Sequence, residues 1–406
     1  MKESGKQNRI WERIAFITAV AGLIGYGISC VYLYYMQSIH MEGQYFESDL
    51  PYHINMALDG WGYSVTAWVY RILSLFPFSN VWIAVFLALS TIAAVALTFY
   101  YYKKKGENTA ASAGAAFICA FAMPFFIRSI HYQRYIGYQS PSIWHNSTYI
   151  VMKPLALASL LLYFFIADKY GKEKCSKSSI AFALLLALCT ATKTSFIFVF
   201  APAALCFLIA DLAVGISWKK VLLSALTVIP SVFVILWQEV VLFGEDTGNS
   251  IIIDFGYTVY QRAEKPYFTM ILSALFPVLV FLFNGIPVFA DTIKDLKKRE
   301  GILTHREFLI AWTMWFFGAA ELLFLRESGA RENDANFSWG YDFALFVLFI
   351  ISIRYFIQNL RDRKFLFGKK WLKTIYASVM MAILSYHVYC GVYFFIELLS
   401  GTTYFM

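Results

Sequence analysis

Residues 37–76 read QSIHMEGQYFESDLPYHINMALDGWGYSVTAWVYRILSLF. An apolar run, Ile14–Met36, precedes them and is long enough to cross a bilayer, which takes about 20 residues. The quoted stretch cannot span. It opens on the carboxylate pair Glu47-Ser48-Asp49, followed by Leu50-Pro51-Tyr52-His53. Ile54, Leu58, Trp61, Val65, Trp68, Ile72 and Leu75 then recur at helical spacing. Such a stripe suits a helix lying in the membrane surface with Trp at headgroup depth. The expectation is a first outer loop, 37–78, that holds a carboxylate against the outer membrane face.

Composition sets the class. The chain has 406 residues, 59% hydrophobic and only 15% charged, which excludes a soluble globular protein. The net charge of +8 is spread in short basic clusters between apolar runs, so it sets topology and is no nucleic-acid signal. The six Cys show no CxxC or Cys/His spacing and read as small core residues. Apolar runs at 14–36, 79–101, 110–127, 148–167, 179–195, 196–214, 221–243, 268–290, 308–326, 341–358 and 374–397 predict about eleven spans of ~20 residues. The fold class is therefore all-α: one polytopic membrane domain over 1–406, with interfacial helices in the first outer loop. The pair 179–195 and 196–214 has almost no loop and reads equally as one broken helix or a re-entrant hairpin.

Placing the N-terminus in the cytoplasm puts the dense Lys/Arg clusters inside at every loop and leaves the outer segments long, aromatic and mixed in charge. The expected site is therefore on the outer face of a multi-pass cell-membrane protein.

Three groups of residues can carry chemistry there. Glu47 and Asp49 can take a proton from a bound hydroxyl or help hold a divalent cation. Ser48 or Asp49 can equally cap the helix that starts near Pro51. His53, four residues after Asp49, lies on the same helical face and can orient the carboxylate or touch substrate. Between 128 and 153 come Arg128, His131, Arg134, Trp144-His145-Asn146 and Lys153. Cations on an outer face suit an anionic ligand. Lys153 and Lys193, at span ends, can hold a lipid phosphate or diphosphate, or can snorkel to the headgroups. In the last outer loop Arg331 and Trp339, with Asn336 and nearby carboxylates, suit sugar recognition as well as an interface belt. The segment 244–267 reads as a mobile loop over the site. Asn146-Ser-Thr148 and Asn336-Phe-Ser338 have sequon form. No P-loop, GxSxG or HExxH motif occurs.

With Glu47-Ser-Asp-Leu-Pro-Tyr-His53 in a long first outer loop and about eleven spans, the chain resembles the GT-C superfamily of membrane glycosyltransferases. It looks closest to the bacterial type that uses polyprenyl-phosphate sugars. The resemblance implies inverting sugar transfer from a polyprenyl-phosphate or diphosphate donor to a glycan, lipid or protein acceptor in the cell envelope. Asp49 (or Glu47) would be the base, and Lys153, Lys193 or Arg128/Arg134 would neutralise the leaving phosphate. A diphosphate donor would bring in a divalent cation, Mg or Mn, at Glu47/Asp49. A transporter or flippase of a lipid-linked glycan is the alternative; it predicts inverted repeats and ionisable residues at mid-membrane, neither of which is evident. A polymerase or ligase of surface glycans would need a larger late outer loop.

Overall fold

The computed structural model describes residues 2–40, 45–60, 62–133, 139–169, 177–243, 248–296 and 305–403. Trp61 and Arg134 lie outside the described residues. The fold is helical. The first half holds α1 (Lys2–Ile39), α2 (Leu50–Leu58), α3 (Val65–Ser74), α4 (Ser79–Lys104), α5 (Thr109–Phe121), α6 (Ser147–Lys169), α7 (Lys177–Thr192) and α8 (Ser195–Ala213). The second half holds α9 (Trp218–Leu226), α10 (Ile229–Phe243), α11 (Tyr257–Arg262), α12 (Pro266–Ser273), α13 (Leu275–Leu296), α14 (Arg306–Phe324), α15 (Ser338–Arg361) and α16 (Lys370–Leu399).

Among the described residues eight helices are long and apolar enough to cross a membrane, nine if α12 and the first part of α13, bent by 66°, form one span. The expected count of about eleven is not reached, because α5 and α7 are too short. Their 13 and 16 residues rise about 20 and 24 Å, against a hydrocarbon core of about 30 Å. After α5 the chain continues without helix, and Ala122 and Met123 are buried in protein. That is the setting in which unwound backbone is tolerated at membrane depth. His387 of α16 secures it: one ring nitrogen meets the Met123 carbonyl at 2.6 Å, and the other accepts the Phe276 amide at 3.3 Å. Gly391 lets α16 approach this segment, since a Cβ there would lie 1.7 Å from the Phe121 carbonyl oxygen.

The centre of the bundle is α15. Its first sixteen residues, Ser338 to Ile353, are all buried, as expected of a helix apolar on every side. It packs against α14, α13 and α8. Gly340 permits the close approach of α8, for a Cβ would meet Val199 at 2.8 Å and the Ser195 carbonyl at 2.9 Å.

Two expectations about loops change. The interfacial stripe is two helices, α2 and α3, broken where Gly60 takes φ +103° and Ser64 caps α3 by accepting the Ala67 amide at 3.2 Å. Ile54 faces the core, while Leu58, Trp68, Ile72 and Leu75 stay exposed. The segment expected to be a mobile loop carries β1 (Ser250–Ile253), paired antiparallel with β2 (Leu325–Ser328), Ile251 opposite Glu327. A run of three Ile suits that extended ladder.

At the other end of the bundle several cations read as topology signals have acidic partners. Glu307 binds Lys105, Arg354 and the Tyr101 hydroxyl, and Glu107 binds Arg361.

Candidate functional site

The acidic motif begins at a turn fixed by the end of the chain. Phe46 takes a left-handed φ of 60°, and its amide donates to the Gly401 carbonyl at 3.1 Å. Glu47 is buried in that turn, 8% exposed. Ser48 accepts the Leu50 amide at 3.2 Å. Asp49 occupies the N-cap position of α2, yet its side chain makes no capping bond. The carboxylate turns away from its own helix and accepts the Asn146 Nδ2–H at 2.8 Å, across 97 residues of sequence.

Asn146 is held in the orientation this needs. Its Oδ1 accepts the Thr148 hydroxyl at 2.9 Å and the Tyr149 amide at 3.0 Å, an N-cap on α6. With Oδ1 committed to the helix, Nδ2 must face Asp49. The sequon-like triplet is thus a helix cap with its amide group aimed at the carboxylate.

Other groups gather around Asp49. His53, one helical turn on, meets the Ser147 hydroxyl at 2.8 Å through Nδ1. Burial lowers this imidazole to about 4 against the opposing pull of the Asp49 charge, with Lys193, Arg331 and His145 adding to the lowering. His145 is likewise lowered to about 4 by burial, again opposed by Asp49. Both are neutral at pH 7. Lys193, in the short turn between α7 and α8, donates to the Thr148 hydroxyl at 3.1 Å and lies 5.0 Å from the Trp339 ring centre. Burial brings its ammonium down to about 8, and Asp49 opposes that shift. Trp339 also packs on His145, centroids 5.9 Å apart, and on Tyr149 at 5.6 Å. Its indole N–H is buried without a hydrogen-bond partner among the described residues.

Arg331 comes from the turn between β2 and α15. Its Nε lies 3.2 Å from Glu327 and 3.5 Å from Asp334, and its charge is felt by His53, Lys193 and Tyr63. Asn336 donates to the second Glu327 oxygen at 2.6 Å.

The structure therefore brings together Asp49, His53, His145, Asn146, Lys193, Arg331 and Trp339. It places four other candidates elsewhere. Arg128 is exposed on the turn before His131 and makes no contact with this cluster among the described residues. His131 is buried beside Glu264, whose neighbour Lys265 donates to the Ser129 carbonyl at 2.7 Å. Lys153 does not share the pocket with Lys193. It donates to the Pro141 carbonyl at 2.8 Å and lies 3.7 Å from the Phe346 ring centre, lining a separate buried cavity with Thr91, Thr98 and Ser142. Glu47 makes no hydrogen bond to the cluster among the described residues. Tyr63 and Gln238 were not foreseen. Gln238 donates to the Tyr63 carbonyl at 2.7 Å, and a lone amide inside the apolar run of α10 was its sequence signal.

Chemically, the cluster is a carboxylate in a fixed orientation, flanked by one ammonium, one guanidinium already engaged by acids, two neutral imidazoles and an indole. It can accept a proton from a hydroxyl, stack a sugar ring and offset one negative charge. No family model matches the sequence, and no curated protein is similar to it.

Proposed function

We propose that the chain is a membrane glycosyltransferase that moves a sugar from a polyprenyl-phosphate donor to an acceptor hydroxyl at the outer face, with the N-terminus in the cytoplasm. The observation that supports this reading most is the Asp49 carboxylate, turned from its helix cap to Asn146 and flanked by Lys193. In the reaction Asp49 takes the proton of the acceptor hydroxyl as its oxygen attacks the anomeric carbon. The bond from that carbon to the phosphate oxygen breaks, and the lipid phosphate departs with the electron pair. Lys193 offsets the charge that develops on it, and Trp339 stacks the sugar. Positioned proton transfer of this kind contributes ~10²–10⁴-fold in rate, and the cation adds electrostatic stabilisation.

Asp49 is favoured over Glu47 as the base, because the Glu47 side chain is buried in the Gly401 turn. A divalent cation, Mg or Mn, fits these residues poorly. Asp49 faces Lys193, Arg331 already holds Glu327 and Asp334, and no group of three or more His, Cys, Asp or Glu converges among the described residues. A monophosphate donor suits this charge balance better than a diphosphate.

The test is Asp49→Asn beside Glu47→Gln, assayed for release of polyprenyl phosphate from a labelled lipid-linked sugar. Loss in Asp49→Asn with activity kept in Glu47→Gln is expected; full activity in both disposes of the assignment. A flippase is the second reading, favoured by the unwound segment after α5 and the bend at α12–α13, both secured by His387. Movement of the lipid-linked sugar across proteoliposomes without any transfer would favour it.

A further inference from the structure

A second cavity lies at the other end of the bundle, about 25 Å along α6 from Asn146 to Tyr163 at 1.5 Å per residue. Counted out to its open mouth, with the open space there included, it offers about 520 Å³. Phe182, Phe200, Ala204 and Leu208 form apolar walls, and Arg306 lies among them. Arg306 is only 6% exposed and is ion-paired through Nη2 to Asp211, which is fully buried. Arg306 also interacts with the Tyr163 hydroxyl, which lines the cavity, and the Arg306 Nε–H, the second Asp211 oxygen and that hydroxyl are buried without a close hydrogen-bond partner among the described residues. A buried donor of this kind costs free energy unless something accepts from it.

The mouth of the cavity lies at an interface-like edge. α9 begins Trp218-Lys219-Lys220, one turn before the lining residue Ser224. Trp218 is 62% exposed, with the Lys219 ammonium 5.9 Å from its ring centre, the pattern of a headgroup-depth anchor. Lys177 is exposed two residues before the lining Ser179. Leu222, Leu223 and Ile180, which neighbour these residues in sequence, are exposed apolar side chains.

We propose that this cavity holds one anionic glycerophospholipid. An acyl chain fills the apolar walls, a glycerol-ester carbonyl accepts the Arg306 Nε–H, and the phosphate meets Lys177, Lys219 and Lys220. The site is independent of the Asp49 cluster and does not rest on the transferase reading.

The experiment uses the full chain reconstituted in vesicles of equal parts phosphatidylcholine and phosphatidylglycerol, released into mild detergent and weighed by native mass spectrometry. One phosphatidylglycerol is expected to stay bound in preference to phosphatidylcholine. Ala204→Trp fills the cavity and removes it, whereas Leu205→Trp, at a neighbouring position 56% exposed to lipid, keeps it. The pair Lys219→Gln and Lys220→Gln lowers retention by about fivefold per lysine. If Ala204→Trp does not fold, Ala204→Leu serves in its place. Equal retention of the two lipids, undiminished binding in the filled variant, or displacement by inorganic phosphate alone would each overturn the proposal, the last by pointing to a free-anion site.

Discussion

The Asn146→Asp substitution isolates what Asn146 does for Asp49. Aspartate keeps the helix cap, because a carboxylate oxygen accepts the Thr148 hydroxyl and Tyr149 amide as Oδ1 does now. The other oxygen replaces a donor with an acceptor 2.8 Å from Asp49. Two unit charges at that separation repel by about 6 kcal/mol at an effective dielectric of ~20, equivalent to about four pKa units. The pair would then hold one shared proton at neutral pH, as closely spaced carboxylates do. Lipid-phosphate release at pH 7 should therefore fall by at least about a hundredfold. Asn146→Ser is the control: serine caps about as well, so the melting temperature stays near wild type. The rate still falls about tenfold or more as the base loses its orientation. Undiminished release by Asn146→Asp would refute the reasoning, because the carboxylate that takes the acceptor's proton would then not be the one Asn146 holds.

Further expectations follow from the same geometry. His53 and His145 are held at about 4 by burial. Between pH 6.5 and about 4 the unfolded chain therefore binds protons that the folded chain refuses, so stability falls as pH drops through that window and is unaffected above it. Replacing both by Gln should lessen the fall of the melting temperature across it. Lys193 titrates at about 8, so an alkaline limb near that pH should vanish, along with most of the activity, in Lys193→Met. Gly340→Val drives its side chain into Val199 and the Ser195 carbonyl, an overpacking of about 1–3 kcal/mol that should appear as a lower melting temperature. His387→Phe leaves the Met123 carbonyl and Phe276 amide without the ring, a loss of about 1–3 kcal/mol for each unsatisfied group. His387→Gln should recover part of it in the same melt.

The architecture was legible where hydrophobic runs are long. α1, α4, α6, α8, α9 with α10 (Trp218–Phe243), α14, α15 and α16 coincide with runs whose length alone demands a bilayer. α5 and α7 were overcounted because the apolar run outlasts the helix; residues 122–127 are as apolar as a helix but non-helical, with Pro124 just past the end of α5 and His387 holding the segment from far along the chain. The stripe from Ile54 to Leu75 was real periodicity, yet a Gly turn at 60 resets the helical phase, so Ile54 and Trp68 face opposite ways. Lys153 and Lys193 looked alike in sequence. What separates them is rotation about α6, which aims Lys153 at the Pro141 carbonyl, and the α7–α8 turn, which aims Lys193 at Thr148 and Trp339. Neither rotation can be read from spacing alone.

The position of Asp49 follows from helix ends more than from the loop that contains it. The Phe46 turn is tied to Gly401 after α16, Asn146 is the cap of α6, Lys193 joins α7 to α8, and Trp339 lies in the first turn of α15. Each contributor is the terminus of a packed helix, and a helix terminus has few ways to move without unpacking its core. A catalytic carboxylate needs that constraint: a displacement of about 1 Å from the attacking hydroxyl costs on the order of 10²-fold in rate. A passive lipid-binding surface needs no such precision. Five termini, distant in sequence and converging on one acid, are the constraint that the proposed reaction at Asp49 requires and that transport past it does not.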